Sequence, residues 1–489
     1  MLVGIGQVTN RGGPLMEPLE LMEAAARLAL ADAGATAAAR VGSVQVVNVF
    51  SRSYADPAGE LARRLALRDG ERLTTTIGGN TPQWLLARAC DAVAAGELDG
   101  VLIAGAEALD SAKRARDQGL EADQSVTAAA PVGKVVGDER SGIGPAEMAA
   151  GLMAPAQLYP LFESALAARA GRSPDEQRLF LGRLLAPMTE VAAGLEDLAW
   201  FPERLAPAAI STVSESNRMV GEPYTKRMNS IIQVDQGAAL VLLSAEAAAA
   251  AGIARDRWVF PWSSAHCNDV FLPSERPDVS RSGGIAAAGQ AALAAAGCGI
   301  DDVDFLDFYS CFPCAVEMGA EALGVDLSDR RGLTVTGAMP YFGGPGNNYV
   351  THSIAVMVDK CRREPGALGL VTGLGWYVTK HAVGLYSSAP PPQGWRHADC
   401  SDAQARIDAT AIPVALDGAG EAVVEAMTVS HDRQTGPSSA PVFARLGDGR
   451  RVVALPADPS LPASLSGTSL VGQRIRVRAG DGAPRYDLT

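Results

Sequence analysis

Leu73-Thr74-Thr75-Thr76 runs into a Gly-Gly-Asn turn, a helix over Pro82 to Ala95 and the apolar strand Val101 to Gly105. The same order returns as Leu333-Thr334-Val335-Thr336, a long glycine-rich loop, a helix over Thr351 to Arg363 and a strand from Leu368 through Val371-Thr372-Gly373. A strand, glycine loop, helix and apolar strand occurring twice indicate an internal duplication. Upstream of the first copy, Val3 to Val8 and Val44 to Phe50 read as strands, and Pro18 to Ala33 and Pro57 to Leu67 as helices. Upstream of the second, Trp258 to Trp262 and Phe305 to Tyr309 read as strands, with helices at Ile285 to Gly297 and Phe312 to Leu323. Continuous apolar strands alternating with helices predict parallel sheets covered on both faces.

Between the copies, a segment rich in Pro, Met and Arg reads as a mostly helical excursion. Beyond Ala389-Pro390-Pro391-Pro392, which stiffens the chain into a linker, helical patterns vanish. Short β-prone runs at Ile412 to Leu416, Val423 to Val429, Val442 to Leu446, Val452 to Leu455 and Leu470 to Val477 predict a small closed barrel, of the OB type. The expected domains are thus 1–110 with 230–254, the excursion 111–229, the second half 255–388, and the barrel 400–489.

The 489 residues are 47% apolar and 20% charged, the composition of a folded chain of about three domains. A net charge of −13 argues against nonspecific nucleic-acid binding. No segment supplies the run of about 20 apolar residues that spans a bilayer, and no secretory signal is recognisable, so a cytoplasmic location is expected. Seven scattered cysteines fit reduced thiols. Cys311-Phe312-Pro313-Cys314 lacks both the second pair of a zinc site and the setting of a redox motif, so no metal is expected.

Two repeated halves, a helical excursion, and loops following Thr76, Tyr309, Thr336 and Gly373 resemble the thiolase superfamily, nearest its sterol-carrier-protein-type branch. Gln83, Gly96-Glu97-Leu98-Asp99-Gly100 and Asp235-Gln236-Gly237-Ala238-Ala239 add to the likeness, which covers about residues 1–388. It implies a five-layered α/β/α/β/α core, an excursion covering coenzyme A, an acyl-CoA substrate and a place in lipid metabolism. It also implies pairing of two copies through strands of the first half, unless the barrel masks them. The family's reactive motifs arrive altered. Counting back from Gln83, the nucleophilic cysteine of Cys-x-Ser-Gly-x-Gln falls on Gly78, and the histidine of Gly-His-Pro on Gly344 in Gly343-Gly344-Pro345. The late Cys-x-Gly matches Gly373-Leu374-Gly375, and His-Asp-Cys-Phe matches Tyr309-Ser310-Cys311-Phe312. Glycine can serve neither as nucleophile nor as proton carrier.

Four residues are candidates to replace what is missing. Tyr309 follows an apolar strand and is placed to donate to a thioester oxygen or shuttle a proton; otherwise it caps the core. Cys311 lies near a helix start, which favours thiolate, or is a small buried hydrophobe. His352 opens the helix after the glycine loop, and His381 follows Lys380 past Gly375; each is a catalyst or a structural anchor. For coenzyme A, the N–H groups around Gly343 and Gly344 and the cations Arg218, Lys226 and Arg227 are the candidates, the alternative for the cations being surface ion pairs. Arginines 445, 450, 451, 474, 476 and 478 offer the barrel a binding face or protect its edges. The expected function is acyl transfer, or carbon–carbon bond formation or cleavage, on an acyl-CoA without the usual cysteine. Thiolase-like aldolases resemble this chain in carrying a tyrosine in the fourth motif and a small barrel. A silent acyl-CoA carrier or scaffold, and an acyltransferase using Cys311, are the alternatives.

Overall fold

The computed structural model describes residues 1–120 and 133–489; the part of the excursion at 121–132 lies outside the described residues. The first half opens with β1 (Leu2–Thr9), α1 (Pro18–Ala33), β2 (Ser43–Val46), α2 (Pro57–Arg64), β3 (Glu71–Thr75), α3 (Thr81–Ala94) and β4 (Gly100–Ala108). The excursion carries α4 (Leu109–Asp117), β5 (Lys134–Val136), α5 (Pro145–Ala149), α6 (Pro155–Arg169), α7 (Pro174–Ala193), α8 (Pro207–Ser211) and a hairpin, β6 (Met219–Gly221) with β7 (Tyr224–Thr225). The first half closes with β8 (Asp235–Leu243) and α9 (Ala245–Ala250). The second half follows as β9 (Phe260–Asn268), α10 (Gly283–Ala296), β10 (Phe305–Asp307), α11 (Pro313–Ala322), α12 (Met339–Phe342), α13 (Tyr349–Arg363), β11 (Leu368–Gly375) and β12 (Lys380–Ser387).

The first sheet has the order β1-β8-β4-β2-β3-β5 and the second β10-β11-β12-β9, extended by β13 (Arg396–Ala398). Aligned, β1-β8-β4-β2 repeats as β9-β12-β11-β10, which is the duplication legible in the sequence. The sheets are mixed rather than parallel: β8 runs antiparallel to β1 and β4, as β12 does to β9 and β11. Continuous apolar strands report burial on both faces and say nothing about direction, and β4, β8, β11 and β12 are buried throughout. Leu333 to Thr336, expected as a strand, is not one. The Asp307 carboxylate accepts from Thr334 Oγ1 and Val335 N, so a side chain takes the backbone donor a ladder would use.

α1 and α2 pack on the outer face of the first sheet and α10 on that of the second, while α3 and α13 lie between the sheets, touching both. This is a five-layered thiolase-like core. One apolar cluster fills the outer face of the first sheet, and a larger one runs between the sheets into the second half and the excursion. The outer edge of the first sheet is occupied by β5, paired to β3, so two copies could not pair through β3 while β5 is in place.

After the linker come α14 (Ser401–Asp408), β14 (Gly420–Met427), β15 (Ser430–Asp432), β16 (Gly436–Ser439), β17 (Val442–Leu446), β18 (Arg451–Pro456), α15 (Leu461–Leu465), β19 (Arg474–Arg478) and β20 (Arg485–Leu488). Helices therefore do not vanish here, because α14 packs on α10 and β9 of the core. The closed barrel β14-β17-β18-β20-β19 uses β20, unread in the sequence, in place of Ile412 to Leu416, which contributes only a bridge from Val414 to Arg451.

Candidate functional site

The buried helix α3 aims its amino terminus at the ends of β10 and β11. Its lead-in is Gly78-Gly79-Asn80, and three chain segments converge on it. A Cβ at Gly79 would lie closer than 3.0 Å to both the Tyr309 hydroxyl and the Leu374 carbonyl. One at Gly375 would press on Asn80 Oδ1 and reach Gly78 Cα at 3.1 Å, and one at Gly373 would come 3.1 Å from Asn80 Cα. The glycine loop joins through its asparagines. Asn347 Oδ1 accepts from Gly78 N at 3.0 Å while its Nδ2 donates to Asn48 O, and Asn348 Nδ2 donates to Gly105 O on β4. Three of the four loops expected at the site thus meet at residues 78–80, and the fourth grips them from the side. A cleft of about 340 Å³ adjoins the preceding residue, Ile77, with Thr76, Arg140 and Trp376 in its walls.

Tyr309 is fixed by its backbone N–H, which donates to Thr372 Oγ1, and by an edge-on contact of its ring with Tyr349. Its hydroxyl makes no hydrogen bond among the described residues. Burial, aided by Cys311 and Tyr349, holds the phenol well above its ordinary pKa of 10, so at neutral pH it is a donor and not a base. Cys311 departs from expectation in the same direction. Burial pushes its thiol up to about 12, outweighing its hydrogen bonds with Tyr159 and the Phe312 backbone, so the helix start does not yield a thiolate. At the end of β4, burial raises Glu107 to about 7 although its carboxylate accepts from Phe50 N and Ser51 N; a Cβ at Gly346 would press on it.

Neither histidine joins this group. His352 points into the layer between the sheets, with Nδ1 on Gln7 Oε1 at 2.8 Å and its ring edge-on to Phe342, and burial lowers its pKa to about 3. His381 contacts Asp269 at 2.8 Å and Ser282 at 3.4 Å, both through Nε2, while Ser282 donates to Asp269 and caps α10. One imidazole nitrogen facing both partners is not the relay of a Ser-His-Asp triad. Lys380 is equally committed, donating to Ile77 O and Asp138 O.

The glycine loop was expected to present its N–H groups to a ligand. Instead Gly343 N bonds Met339 O, Gly344 N bonds Ile231 O, and Gly346 N bonds Gly344 O. A side chain at Gly344 would meet Ser230 and Ile231, at the end of the excursion. Of the expected phosphate-binding cations, Arg218 Nη1 donates to Met219 O, Arg227 Nη1 donates to Ala209 O, and Lys226 is exposed. None forms an ion pair among the described residues, and the stretch ends where Ser230 N donates to Cys311 O. The barrel arginines are mostly spent: Arg445 and Arg451 on Glu425, Arg450 on Asp448, Arg474 on Glu421 and Arg478 on Asp487.

An SCP2-thiolase-like protein type 1 from Mycobacterium smegmatis, described as monomeric, matches over 100% of this chain and 98% of its own, at 32% identity and a TM-score of 0.86. The chain belongs to the SCP2-thiolase-like proteins of type 1. Residues 402–482 of this thiolase-like protein also match the family model of the type 1 additional C-terminal domain. Two more distant structures share the fold. Acetyl-CoA acetyltransferase from Syntrophomonas wolfei matches at 16% identity and a TM-score of 0.55, covering 79% of this chain and 98% of that one. The Ltp2-ChsH2(DUF35) aldolase matches at 19% and 0.58, covering 79% and 97%. No curated protein matches the chain.

Two residues of the thiolase-like site went unnoticed in the sequence: Asn80 and Glu107. A signal existed for the first, since Asn80 stands where the Cys-x-Ser-Gly-x-Gln motif has serine. Glu107 gave none, because only folding buries it. Among the described residues no group of three or more His, Cys, Asp or Glu is arranged to hold a metal, and no helix is long and apolar enough to cross a membrane.

Proposed function

We propose that this protein binds acyl-CoA and makes or breaks a carbon–carbon bond next to the thioester, by an aldol-type route with no acyl group on cysteine. The observation that carries this reading is the Tyr309 hydroxyl, neutral and without a hydrogen-bond partner among the described residues, held against the turn that leads into α3. In the cleavage direction the carbinol O–H of a 3-hydroxyacyl thioester gives up its proton to water from the adjoining cleft and the Cα–Cβ bond breaks. The β-carbon leaves as a carbonyl, and the electron pair passes to the thioester as an enolate that takes a proton back from water at Cα, so that no proton is gained or lost overall. A neutral phenol and the positive end of a helix stabilise the enolate oxygen without being consumed. Glycine at 78 and 373, and a Cys311 thiol pushed up to about 12, speak against the acyl-cysteine route. Arg218, Lys226 and Arg227, without a carboxylate partner among the described residues, are assigned to the phosphates of coenzyme A. An aldolase among the proteins of this fold supports the choice of cleavage over transfer.

The test is incubation with acetyl-, 3-oxoacyl- and 3-hydroxyacyl-CoA, read by mass analysis of both products and protein. Cleavage of the hydroxyacyl substrate with no mass added to the protein is expected. An acetyl adduct that disappears in Cys311→Ser refutes the route, and binding without turnover makes the protein a carrier.

A further inference from the structure

We infer that Asn80 selects acyl groups bearing a hydroxyl, which narrows the substrate class of the proposed site to 3-hydroxyacyl thioesters and rests on the acyl-CoA reading. Asn80 immediately precedes α3, where an asparagine ordinarily turns its amide back to cap the helix. It does not: the side chain makes no capping bond, and the residue is only 7% exposed with Oδ1 buried and without a partner among the described residues. Asn347 and Asn348, from the loop opposite, both have the oxygen and the nitrogen of their amides hydrogen-bonded. What holds the Asn80 amide forward is space. Its oxygen occupies the volume that side chains at residues 78 and 375 would need, since a Cβ at Gly78 would stand 2.5 Å from it and one at Gly375 closer than 3.0 Å. Glycine at both positions is the condition for this amide to sit between the two loops.

A buried acceptor without a donor is unfavourable in the empty protein, and the loss is recovered when a ligand supplies the donor. The groups flanking the reacting carbons decide which ligand does so. A thioester carbonyl and a 3-oxo group offer acceptors only, and an unsubstituted chain offers nothing. A 3-hydroxyl donates to Asn80 Oδ1 while the Tyr309 O–H donates to the thioester oxygen. Against a 3-oxoacyl group, Asn80 would set acceptor against acceptor, an arrangement that discriminates strongly because the buried oxygen stays unpaired.

Calorimetric titration of the full-length protein with 3-hydroxybutyryl-CoA, acetoacetyl-CoA and butyryl-CoA tests the inference. At least tenfold tighter binding of the hydroxyl form is expected in the wild type. Asn80→Ala and the near-isosteric Asn80→Leu are expected to abolish that preference, retain the affinity for butyryl-CoA, and melt no lower than wild type because no hydrogen bond is lost. Equal binding of the three thioesters overturns the role of Asn80 and leaves the acyl-CoA reading intact. A preference for acetoacetyl-CoA would mean that the amide presents its nitrogen, and a marked drop in melting temperature in both variants would make the amide structural; either overturns the inference. No binding of any thioester removes the acyl-CoA reading, and the inference with it.

Discussion

Placing a methyl group on residue 78 probes the packing on which the site depends. In Gly78→Ala the new carbon would stand 2.5 Å from Asn80 Oδ1 and 3.4 Å from Thr81 Cγ2. The first distance is a collision and the second an ordinary contact. Overpacking a tight site costs about 1–3 kcal/mol, and since no hydrogen bond anchors the Asn80 amide, the lower half of that range applies. Asn80→Ala deletes the colliding atom without breaking a bond, so alone it should leave stability unchanged or slightly raised. In the double variant the methyl group enters space already vacated. The two effects should therefore be non-additive by about 1–2 kcal/mol, in the sense that Asn80→Ala rescues Gly78→Ala; any backbone cost at residue 78 is common to both backgrounds and cancels. Gly79→Ala is the control. Its methyl group would meet the Leu374 carbonyl as well as the Tyr309 hydroxyl, and a backbone atom cannot be mutated away, so Tyr309→Phe should fail to rescue it. Urea unfolding of the four proteins of the cycle gives the energies. Additivity within about 0.5 kcal/mol would show that the amide does not lie between the glycines, and the account of the site would fall with it.

Tyr309→Phe should unfold with wild-type stability, since it keeps the ring against Tyr349 and removes a hydroxyl without a partner, while cleavage of 3-hydroxyacyl-CoA falls on the order of 10²-fold or more; unchanged turnover assigns the tyrosine to the core. Glu107 predicts a pH dependence: burial raises it from its ordinary 4.5 to about 7, so between those values the native state keeps a proton that the unfolded chain has released. Its contribution to stability is greatest below pH 4.5 and declines by ~3 kcal/mol as pH rises to 7, and Glu107→Gln should flatten that part of the stability curve.

The duplication was legible because it lives in patterns the sequence carries directly: apolar strands, glycine loops and helix lengths repeated in order. α1, from Pro18 to the residue before Gly34, follows from its proline start and glycine stop, and Val442 to Leu446 is a strand with the bounds its β-prone run indicates. Direction was not legible, since burial on both faces looks the same in a parallel and an antiparallel strand. Leu333 to Thr336 has the letters of a strand and loses that state to Asp307, a residue distant in the chain. At the site, position along the chain located Tyr309 correctly at a strand end. His352 and His381 were equally well placed by that criterion, yet successive residues of the helix carrying His352 turn through about 100° and those of strand β12 carrying His381 alternate between faces, so which face each presents is settled by packing. Pairing of Gly343 and Gly346 within their own stretch, and of Gly344 with Ile231 just past the excursion, is likewise invisible until the chain folds.

The barrel bears on the site through the excursion. β15 pairs with β6, making a four-stranded sheet β16-β15-β6-β7 from two regions far apart in the chain. Between β6 and β7, Glu222 accepts from His431 Nε2 at 2.9 Å, Ser466 Oγ at 2.5 Å and Gly467 N at 2.8 Å, and its own N–H donates to Val429 O. Burial opposes ionisation there, yet these donors hold the carboxyl below its ordinary range, so the charge is one the barrel stabilises and bare solvent contact could not replace. On the other flank Arg451, 1% exposed, donates to the Ser274 and Arg276 carbonyls of the second half. The barrel is thus fastened at one end to the core and at the other to the hairpin that lies between Arg218 and Lys226. A β6–β7 hairpin of five residues in strand has too few ladder bonds to fix its own position. The added domain supplies the missing strands, and with them the geometry of the basic stretch that leads to Ser230 and the Cys311 carbonyl.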